Sequence, residues 1–190
     1  FKNRPIADGE LTRGRPEVVY HREPETLPDA PTVMFACDEN YFNLYGKNQL
    51  LSLLQAEGKF GTHVHIVNPS DETFAWVDTY AKRYCANLIV SYERIDEKLI
   101  KNKSYLASCR FINVPDFIRK FDRPYLIVDT DTILNSPAHL EGFFEQVKEP
   151  TAFYSEHSPV WDTVTAAFIY IPNTKIGLSY IDMVQRYLLR

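Results

Sequence analysis

Two short apolar runs in the sequence are each followed directly by acidic residues, an arrangement that suits the binding of a cation. Residues 32–37 precede the Asp-Glu-Asn triplet 38–40, and residues 125–128 precede an Asp-Thr-Asp triplet that begins at Asp129 and ends at Asp131. Two carboxylates in one tight loop can face the same ion, and their hard oxygen atoms suit Mn²⁺ or Mg²⁺. Such a cation would neutralise the charge of a bound diphosphate and stabilise it as a leaving group. The sequence therefore predicts a metal site at Asp129 and Asp131.

Both triplets also have plain structural interpretations. Acidic pairs in loops are common as solvated turn residues, and Asp38 or Asn40 could cap a helix that begins near Tyr41. The context of the second triplet favours a ligand, because carboxylates beside a core need a cation or hydrogen bonds.

The elements around these triplets alternate between strands and helices. Apolar runs predict strands at residues 32–37, 63–67, 88–92, 125–128, 151–154 and 164–171. Apolar spacing of three and four predicts helices at 41–56, after Ser70, at 104–120 and 140–147, and at the end of the chain. This alternation predicts an α/β fold with a mostly parallel sheet and helices on both faces. Such sheets bind ligands at the carboxyl ends of their strands, where both triplets lie.

The apolar spacing also predicts which face of each helix is buried. The helix 41–56 is predicted to bury one set of leucines, and the closing helix a second apolar set. These sets are Leu44, Leu50, Leu51 and Leu54, and Ile176, Tyr180, Met183, Val184 and Tyr187. His63 and His65 alternate on a strand with no third ligand nearby, and structural roles are favoured for both.

Composition narrows the class of protein. The chain has 190 residues, 45% of them hydrophobic, with a net charge of −4. It is long enough for one sizeable core, and it lacks the basic surface that a nucleic-acid partner would need. We expect residues 1–31 to form an extended Pro-rich arm and residues 32–190 one domain, incomplete at its C-terminus because the chain ends inside a helical pattern.

The cysteine content and the length of the apolar runs help to predict where in the cell the protein is found. Cys37, Cys85 and Cys109 indicate neither a disulfide framework nor a zinc site. No run approaches the roughly 20 apolar residues of a membrane span. A cytoplasmic location is predicted.

Three segments together resemble a known family. Residues 35–41 (Phe-Ala-Cys-Asp-Glu-Asn-Tyr), 104–111 (Ser-Tyr-Leu-Ala-Ser-Cys-Arg-Phe) and 126–131 (Leu-Ile-Val-Asp-Thr-Asp) resemble motifs of the retaining GT-A glycosyltransferases of the family that contains glycogenin and the lipopolysaccharide galactosyltransferases. The resemblance covers about residues 32–190. Two features depart from the family pattern: Thr-Ala-Ala at 165–167 replaces Asn-Ala-Gly, and the family's histidine metal ligand lies beyond Arg190.

The resemblance implies a function and a set of site residues. It implies transfer of a hexose from a UDP-sugar, with retention, to an unknown glycan, lipid or protein acceptor. The first segment would bind the nucleotide, Arg110 the donor and the third segment the cation, with no nucleophile or base assigned. The implied binding residues are Ala36, Asp38, Asn40, Arg110, Asp129 and Thr130, and the implied metal ligands are Asp129 and Asp131.

Two other functions remain open on the sequence. The residues from Asp129 onward also resemble the first motif of haloacid dehalogenase-like phosphatases, in which the leading Asp is phosphorylated and the second acts as acid and base. Three predicted strands precede the triplet here, whereas that motif normally closes the first strand. The chain could also be a catalytically inactive nucleotide-sugar-binding module, consistent with the changed segment 165–167.

Overall fold

A seven-stranded sheet forms the centre of the computed structural model, which describes residues 15–56, 58–96, 103–154 and 164–189. Its strands are β1 (Val19–Arg22), β2 (Thr32–Asp38), β3 (Gly61–Val67), β4 (Leu88–Glu93), β5 (Tyr125–Val128), β6 (Thr151–Tyr154) and β7 (Val164–Ile171). They lie in the order β1-β4-β3-β2-β5-β7-β6. The six strands predicted from apolar runs are therefore all present.

The sheet has a parallel centre and antiparallel edges. Strand β2 pairs in parallel with β3 on one side and with β5 on the other, and β3 pairs in parallel with β4. Strands β1, β7 and β6 add antiparallel pairings at the two sides. The mostly parallel sheet is confirmed. Strand β1 comes from the segment that the sequence predicts as an extended arm, and it covers the edge of β4.

Helical segments connect the strands. They are α1 (Glu39–Tyr41), a π-helical segment (Phe42–Gly46), α2 (Lys47–Leu53), a 3₁₀ turn (Leu54–Ala56), α3 (Asp71–Tyr84), α4 (Lys103–Phe121), α5 (Pro137–Gln146) and α6 (Lys175–Leu188). Ser70 caps α3, as its sequence position predicts, and its hydroxyl oxygen accepts a hydrogen bond from Thr73 N at 3.3 Å.

Helices cover both faces of the sheet. In β2, Val33 and Phe35 belong to a buried cluster that contains residues of α2, α3 and α5, whereas Met34 and Ala36 belong to a cluster with residues of α4 and α6. Successive side chains of a strand point to opposite faces, so a strand that is apolar throughout must be buried on both. The predicted α/β fold class is thus confirmed.

The predicted buried face of the first long helix is partly wrong. Leu50 is fully buried, but the side chains of Leu44 and Leu51 are 62% and 44% exposed, and Gln49 is buried instead. Leu50 and Leu51 are successive residues of α2 and point about 100° apart around the helix, so only one of them can face the core.

The predicted buried face of α6 is also partly wrong. Ile176, Met183 and Tyr187 are exposed, whereas Ile181 and Gln185 are buried. Gly177 explains the choice of face, because a Cβ at this position would lie only 2.1 Å from the carbonyl oxygen of Pro172. The helix therefore approaches the preceding chain through its glycine, and this contact fixes which residues point inward.

The two strand histidines have the structural roles that the sequence favours. His63 and His65 are fully buried and share Ser91, whose Oγ lies 2.7 Å from His63 Nε2 and 2.9 Å from His65 Nδ1. Tyr125 Oη lies 3.1 Å from His63 Nδ1. These contacts satisfy polar groups inside the sheet, as burial requires.

Some sequence-based expectations cannot be compared with the structure. Residues 1–14 of the predicted arm and residues 155–163 of the loop before β7 lie outside the described residues, as do the side chains of Thr165 and Ala166. Within the described part of the chain, no helix is both long and apolar enough to cross a membrane.

Candidate functional site

The candidate site lies where the order of the sheet reverses. From β2 the chain builds β3 and β4 on one side and then returns to place β5 on the other side of β2. After β2 and after β5 the chain leaves the sheet in opposite directions, so a crevice remains at the carboxyl ends of these two strands. Open α/β sheets bind ligands in such a crevice. A cavity of about 510 Å³ lies there. Its lining residues are Ala36, Cys37, Asp38, Tyr41, Leu106, Ala107, Arg110, Asp129, Thr130 and Asp131.

The loop after β5 is held as a tight turn that presents both of its carboxylates. Thr132 N donates to Asp129 O at 3.1 Å, and Gln49 Nε2 donates to the same carbonyl at 3.0 Å. Asp129 N donates to Ala167 O at 3.1 Å. With its backbone fixed on both sides, the turn leaves Asp131 exposed and the side chain of Asp129 about one third exposed (36%).

Thr130, the middle residue of this turn, connects the turn after β5 to strand β2. Thr130 is buried, and its Oγ1 donates to the carbonyl oxygen of Ala36 at 3.1 Å. The neighbouring Cys37 is also buried, and this burial raises the pKa of its thiol despite a hydrogen bond with Thr130. Cys37 is therefore a neutral thiol and a poor nucleophile, and the contact between β2 and the turn is a structural one.

Arg110 reaches the site from α4. Its Nη1 donates a hydrogen bond to Oδ1 of Asp129, and the same nitrogen lies 3.4 Å from the carbonyl oxygen of Val128. The residue is only 9% exposed, and its Nε has no hydrogen-bond partner among the described residues. An unpaired guanidinium nitrogen that is itself buried is a local energetic cost, while Arg110 as a residue lines the cavity.

The end of β2 supplies two acidic side chains with different contacts. Asp38 Oδ1 accepts a hydrogen bond from Tyr41 N at 2.8 Å, so Asp38 does cap the following helix. Glu39 Oε1 accepts from Ser70 N at 2.8 Å and from Thr73 Oγ1 at 2.6 Å, and hydrogen bonds from the Ser70 and Thr73 hydroxyls lower its pKa. Asp38 lines the cavity, whereas Glu39 anchors the start of α3.

The structure thus brings together most of the residues that the sequence singles out. Ala36, Asp38, Arg110 and all three residues of the turn line one cavity, but Asn40 is exposed and does not line it. Sequence reasoning missed Cys37, Tyr41, Leu106 and Ala107. The last two lie one helical turn before Arg110, and helical periodicity could have found them.

The cavity offers oxygen ligands that fit a hard cation. Asp129 and Asp131 lie on one turn and are accessible, but the described residues contain no cluster of three or more His, Cys, Asp or Glu side chains placed to hold a metal. Mg²⁺ is commonly held by one or two carboxylates together with substrate phosphates and water. This donor set fits that mode of binding.

Comparison with known proteins identifies the fold. The glycosyltransferase GlyE of Streptococcus pneumoniae TIGR4 is similar at a TM-score of 0.59 and 21% identity, over 81% of this chain and 37% of that one. The galactosyltransferase LgtC, in complex with donor and acceptor sugar analogues, is similar at a TM-score of 0.58 and 15% identity. The match covers 83% of this chain and 63% of LgtC. This chain therefore spans less than two thirds of the length of either structure.

These similarities show that the chain has the fold of the GT-A glycosyltransferases. No protein-family model matches the sequence, and no curated protein matches it. The fold is established by architecture, while the function must be argued from the site.

Proposed function

We propose that this chain forms the donor-binding part of a metal-dependent glycosyltransferase that moves a hexose from a UDP-sugar to an acceptor, with retention. The observation that carries the proposal is the convergence of Asp38, Arg110, Asp129 and Asp131 on one cavity at the switch point of a GT-A sheet. The structural similarity to LgtC, described with donor and acceptor sugar analogues, supports the same class. The choice of UDP and of retention rests on the motif resemblance.

The charges that line the cavity argue for a cation. Asp38, Asp129 and Asp131 contribute three carboxylates, against which Arg110 supplies one guanidinium. An anionic diphosphate would meet a net negative cavity and be repelled. When bound on Asp129 and Asp131, Mn²⁺ or Mg²⁺ would neutralise diphosphate charge and stabilise the leaving group.

Each protein residue then has a positional or electrostatic role. The strand end at Ala36 and Asp38 would hold the nucleoside, and Thr130 would keep the turn close to it through its bond to the Ala36 carbonyl. Arg110 lines the cavity and would direct its guanidinium to phosphate or sugar oxygens, for which a guanidinium fork is well suited. These residues orient the donor beside the site of attack, which is how positioning lowers a barrier.

Calorimetric titration of UDP with and without Mn²⁺ tests the proposal. We expect Mn²⁺-dependent binding that Asp131→Asn weakens at least about tenfold, the equivalent of about 1.4 kcal/mol. Asp29→Asn is a matched control, because Asp29 is exposed and precedes the opposite end of β2. Absence of UDP binding to the folded protein at millimolar Mn²⁺ would overturn the proposal.

A second assay separates the enzyme from its alternatives. Release of hexose from UDP-sugars, to water or to an acceptor, is the expected result. UDP binding without any sugar release would instead indicate an inactive nucleotide-sugar-binding module. Hydrolysis of p-nitrophenyl phosphate that Asp129→Asn abolishes would indicate a phosphatase.

A further inference from the structure

Helix α2 contacts the loop that carries the acidic turn at two points. Gln49 Nε2 donates to the carbonyl oxygen of Asp129 at 3.0 Å, and Leu134 N donates to Ser52 Oγ at 3.1 Å. Gln49 and Ser52 are three residues apart, so they lie on one side of the helix. The two contacts therefore hold both ends of the segment 129–134, which contains the second carboxylate of the turn.

The segment between these two points lies outside the helices and strands. It follows β5 and ends shortly before α5, which begins at Pro137. Because such a segment has no ladder of backbone hydrogen bonds, contacts with other elements determine its course. Asp131 lies within it and is exposed, whereas Asp129 is also held by Arg110. The placement of the Asp131 carboxylate thus depends on the backbone that α2 holds.

Gln49 is an unfavourable residue for the core, and its contact with the turn gives it another role. It is 1% exposed, on a helix that also buries Leu50 and Leu53. Its Oε1 has no hydrogen-bond partner within the described parts of the chain. An apolar side chain would be buried there without an unpaired acceptor. The bond that Gln49 donates to Asp129 therefore explains the amide better than core stability does.

The bond from Gln49 does more than satisfy the Asp129 carbonyl. That carbonyl already accepts a hydrogen bond from Thr132 N at 3.1 Å. A carbonyl oxygen has two lone pairs, and the donors from Thr132 and Gln49 use both. Two donors from separate elements fix the peptide group that joins Asp129 to Thr130, where the chain leaves β5. The orientation of the turn is set by α2 as well as by its own backbone.

Ser52 holds the other end of the segment with an equally defined direction. Its hydroxyl donates to the carbonyl oxygen of Gln49 at 2.8 Å, so its lone pairs are free to accept the bond from Leu134 N. The helix thus offers the loop one donor and one acceptor at a fixed spacing.

We propose that Gln49 and Ser52 are positioning residues of the cation site, because they hold the turn in the form that presents Asp129 and Asp131 to the cavity. The inference rests on the proposed function, since it concerns the same cation. Neither Gln49 nor Ser52 lines that cavity, so both act through the turn. Replacing residues that support metal ligands typically weakens metal binding about 10- to 100-fold.

A purely structural role is the competing explanation for the two side chains. Their replacement would then destabilise the fold and leave the affinity of the folded protein unchanged. Positioning predicts a different result for Gln49→Met, which removes the donor and the unpaired acceptor together. Its affinity for UDP in the presence of Mn²⁺ should fall, while its urea unfolding midpoint without metal stays close to that of the parent chain.

Calorimetric titration of UDP at millimolar Mn²⁺, with urea unfolding in parallel, tests the proposal. We expect Gln49→Met to weaken UDP binding by about tenfold. Asn48→Met is the matched control, because Asn48 carries an exposed amide on the same helix and lies outside the cavity. Its affinity should equal that of the parent chain.

A second pair of variants keeps the proposal testable if Gln49→Met does not fold. Ser52→Ala should weaken UDP binding, whereas Ser52→Thr keeps the hydroxyl and should retain the parent affinity. Unchanged affinity in the folded Gln49→Met and Ser52→Ala variants, or a Ser52→Thr variant as weak as Ser52→Ala, would overturn this inference and leave the proposed function intact. A folded parent chain that does not bind UDP would overturn both.

Discussion

Arg110 on α4 donates a hydrogen bond from its Nη1 to Oδ1 of Asp129, so the first carboxylate of the acidic turn is paired with a nearly buried guanidinium. The two side chains differ in exposure, at 11% for Arg110 and 36% for Asp129. Asp131, two residues later, is exposed. The two carboxylates of the turn therefore have different structural roles, and the difference can be measured.

Replacing Asp129 should destabilise the fold more than replacing Asp131. Asp129→Asn leaves Arg110 without its charged partner in a nearly buried position, which should lower the free energy of unfolding by about 1–3 kcal/mol. Asp131→Asn alters an exposed side chain and should change it by no more than about 0.5 kcal/mol. Urea unfolding without added metal measures both. Equal stability of the two variants would show that the pair with Arg110 contributes little.

The two polar residues at the end of β2 should differ in their effect on nucleotide binding. Asp38 lines the cavity, whereas Asn40 is exposed and does not. Asp38→Ala should therefore weaken UDP binding by more than Asn40→Ala, and calorimetry in the presence of Mn²⁺ compares them. Asp38→Ala also removes the cap on α1, so its unfolding midpoint must be recorded beside its affinity. A larger loss with Asn40→Ala would mean that the segment 38–41 rearranges on binding.

The strands and the acidic turn were predictable because their signals are local. Residues 125–128 are apolar throughout and are buried on both faces, as a central parallel strand must be. The convergence of Asp38 and Asp129 also follows from the sequence, because both end parallel strands and parallel strands end at one edge of a sheet. Once the fold class is correct, these positions follow from chain direction alone.

Features that depend on contacts between distant residues were not predictable. The way in which the helix 41–56 packs on the sheet leaves Leu44 and Leu51 exposed and buries Leu50. Gln49 is buried because it supports a carbonyl 80 residues away in sequence. Arg110 illustrates the same limit, because its helix was predicted correctly while its pairing with Asp129 depends on how α4 packs against the sheet.

The buried His63 should make stability depend on pH. Burial, followed by the neighbouring His65, lowers the pKa of His63 well below its ordinary value, so the ring stays neutral in the folded chain. In the unfolded chain it takes up a proton near pH 6.5. The unfolded state then binds more protons, so the stability contribution is full above about pH 6.5 and is lost as the pH falls toward the folded pKa.

The expected loss is up to about 1.4 kcal/mol per pH unit for one such histidine. Urea unfolding between pH 7.5 and 5.5 measures it, and His63→Asn should flatten the slope relative to the parent chain. His21→Asn is a suitable control, because His21 lies outside this buried network and contacts Asp78 near the surface. A parent chain whose stability is constant over this range would contradict the assignment of a neutral buried ring.

Two glycine-to-alanine replacements should change stability in opposite directions. A Cβ at Gly46 would lie 2.7 Å from Cδ2 of Phe42 and 3.3 Å from Cε2 of Phe35, and both rings are fully buried. Gly46→Ala should therefore displace a core ring and lower the free energy of unfolding by about 1–3 kcal/mol.

Gly142 lies within α5, and an added Cβ there meets no described atom within 4 Å. Gly142→Ala should stabilise the chain by up to about 1 kcal/mol through helix propensity. Thermal unfolding of both variants compares them directly, and a neutral Gly46→Ala would show that the π-helical segment can relax around the added methyl group.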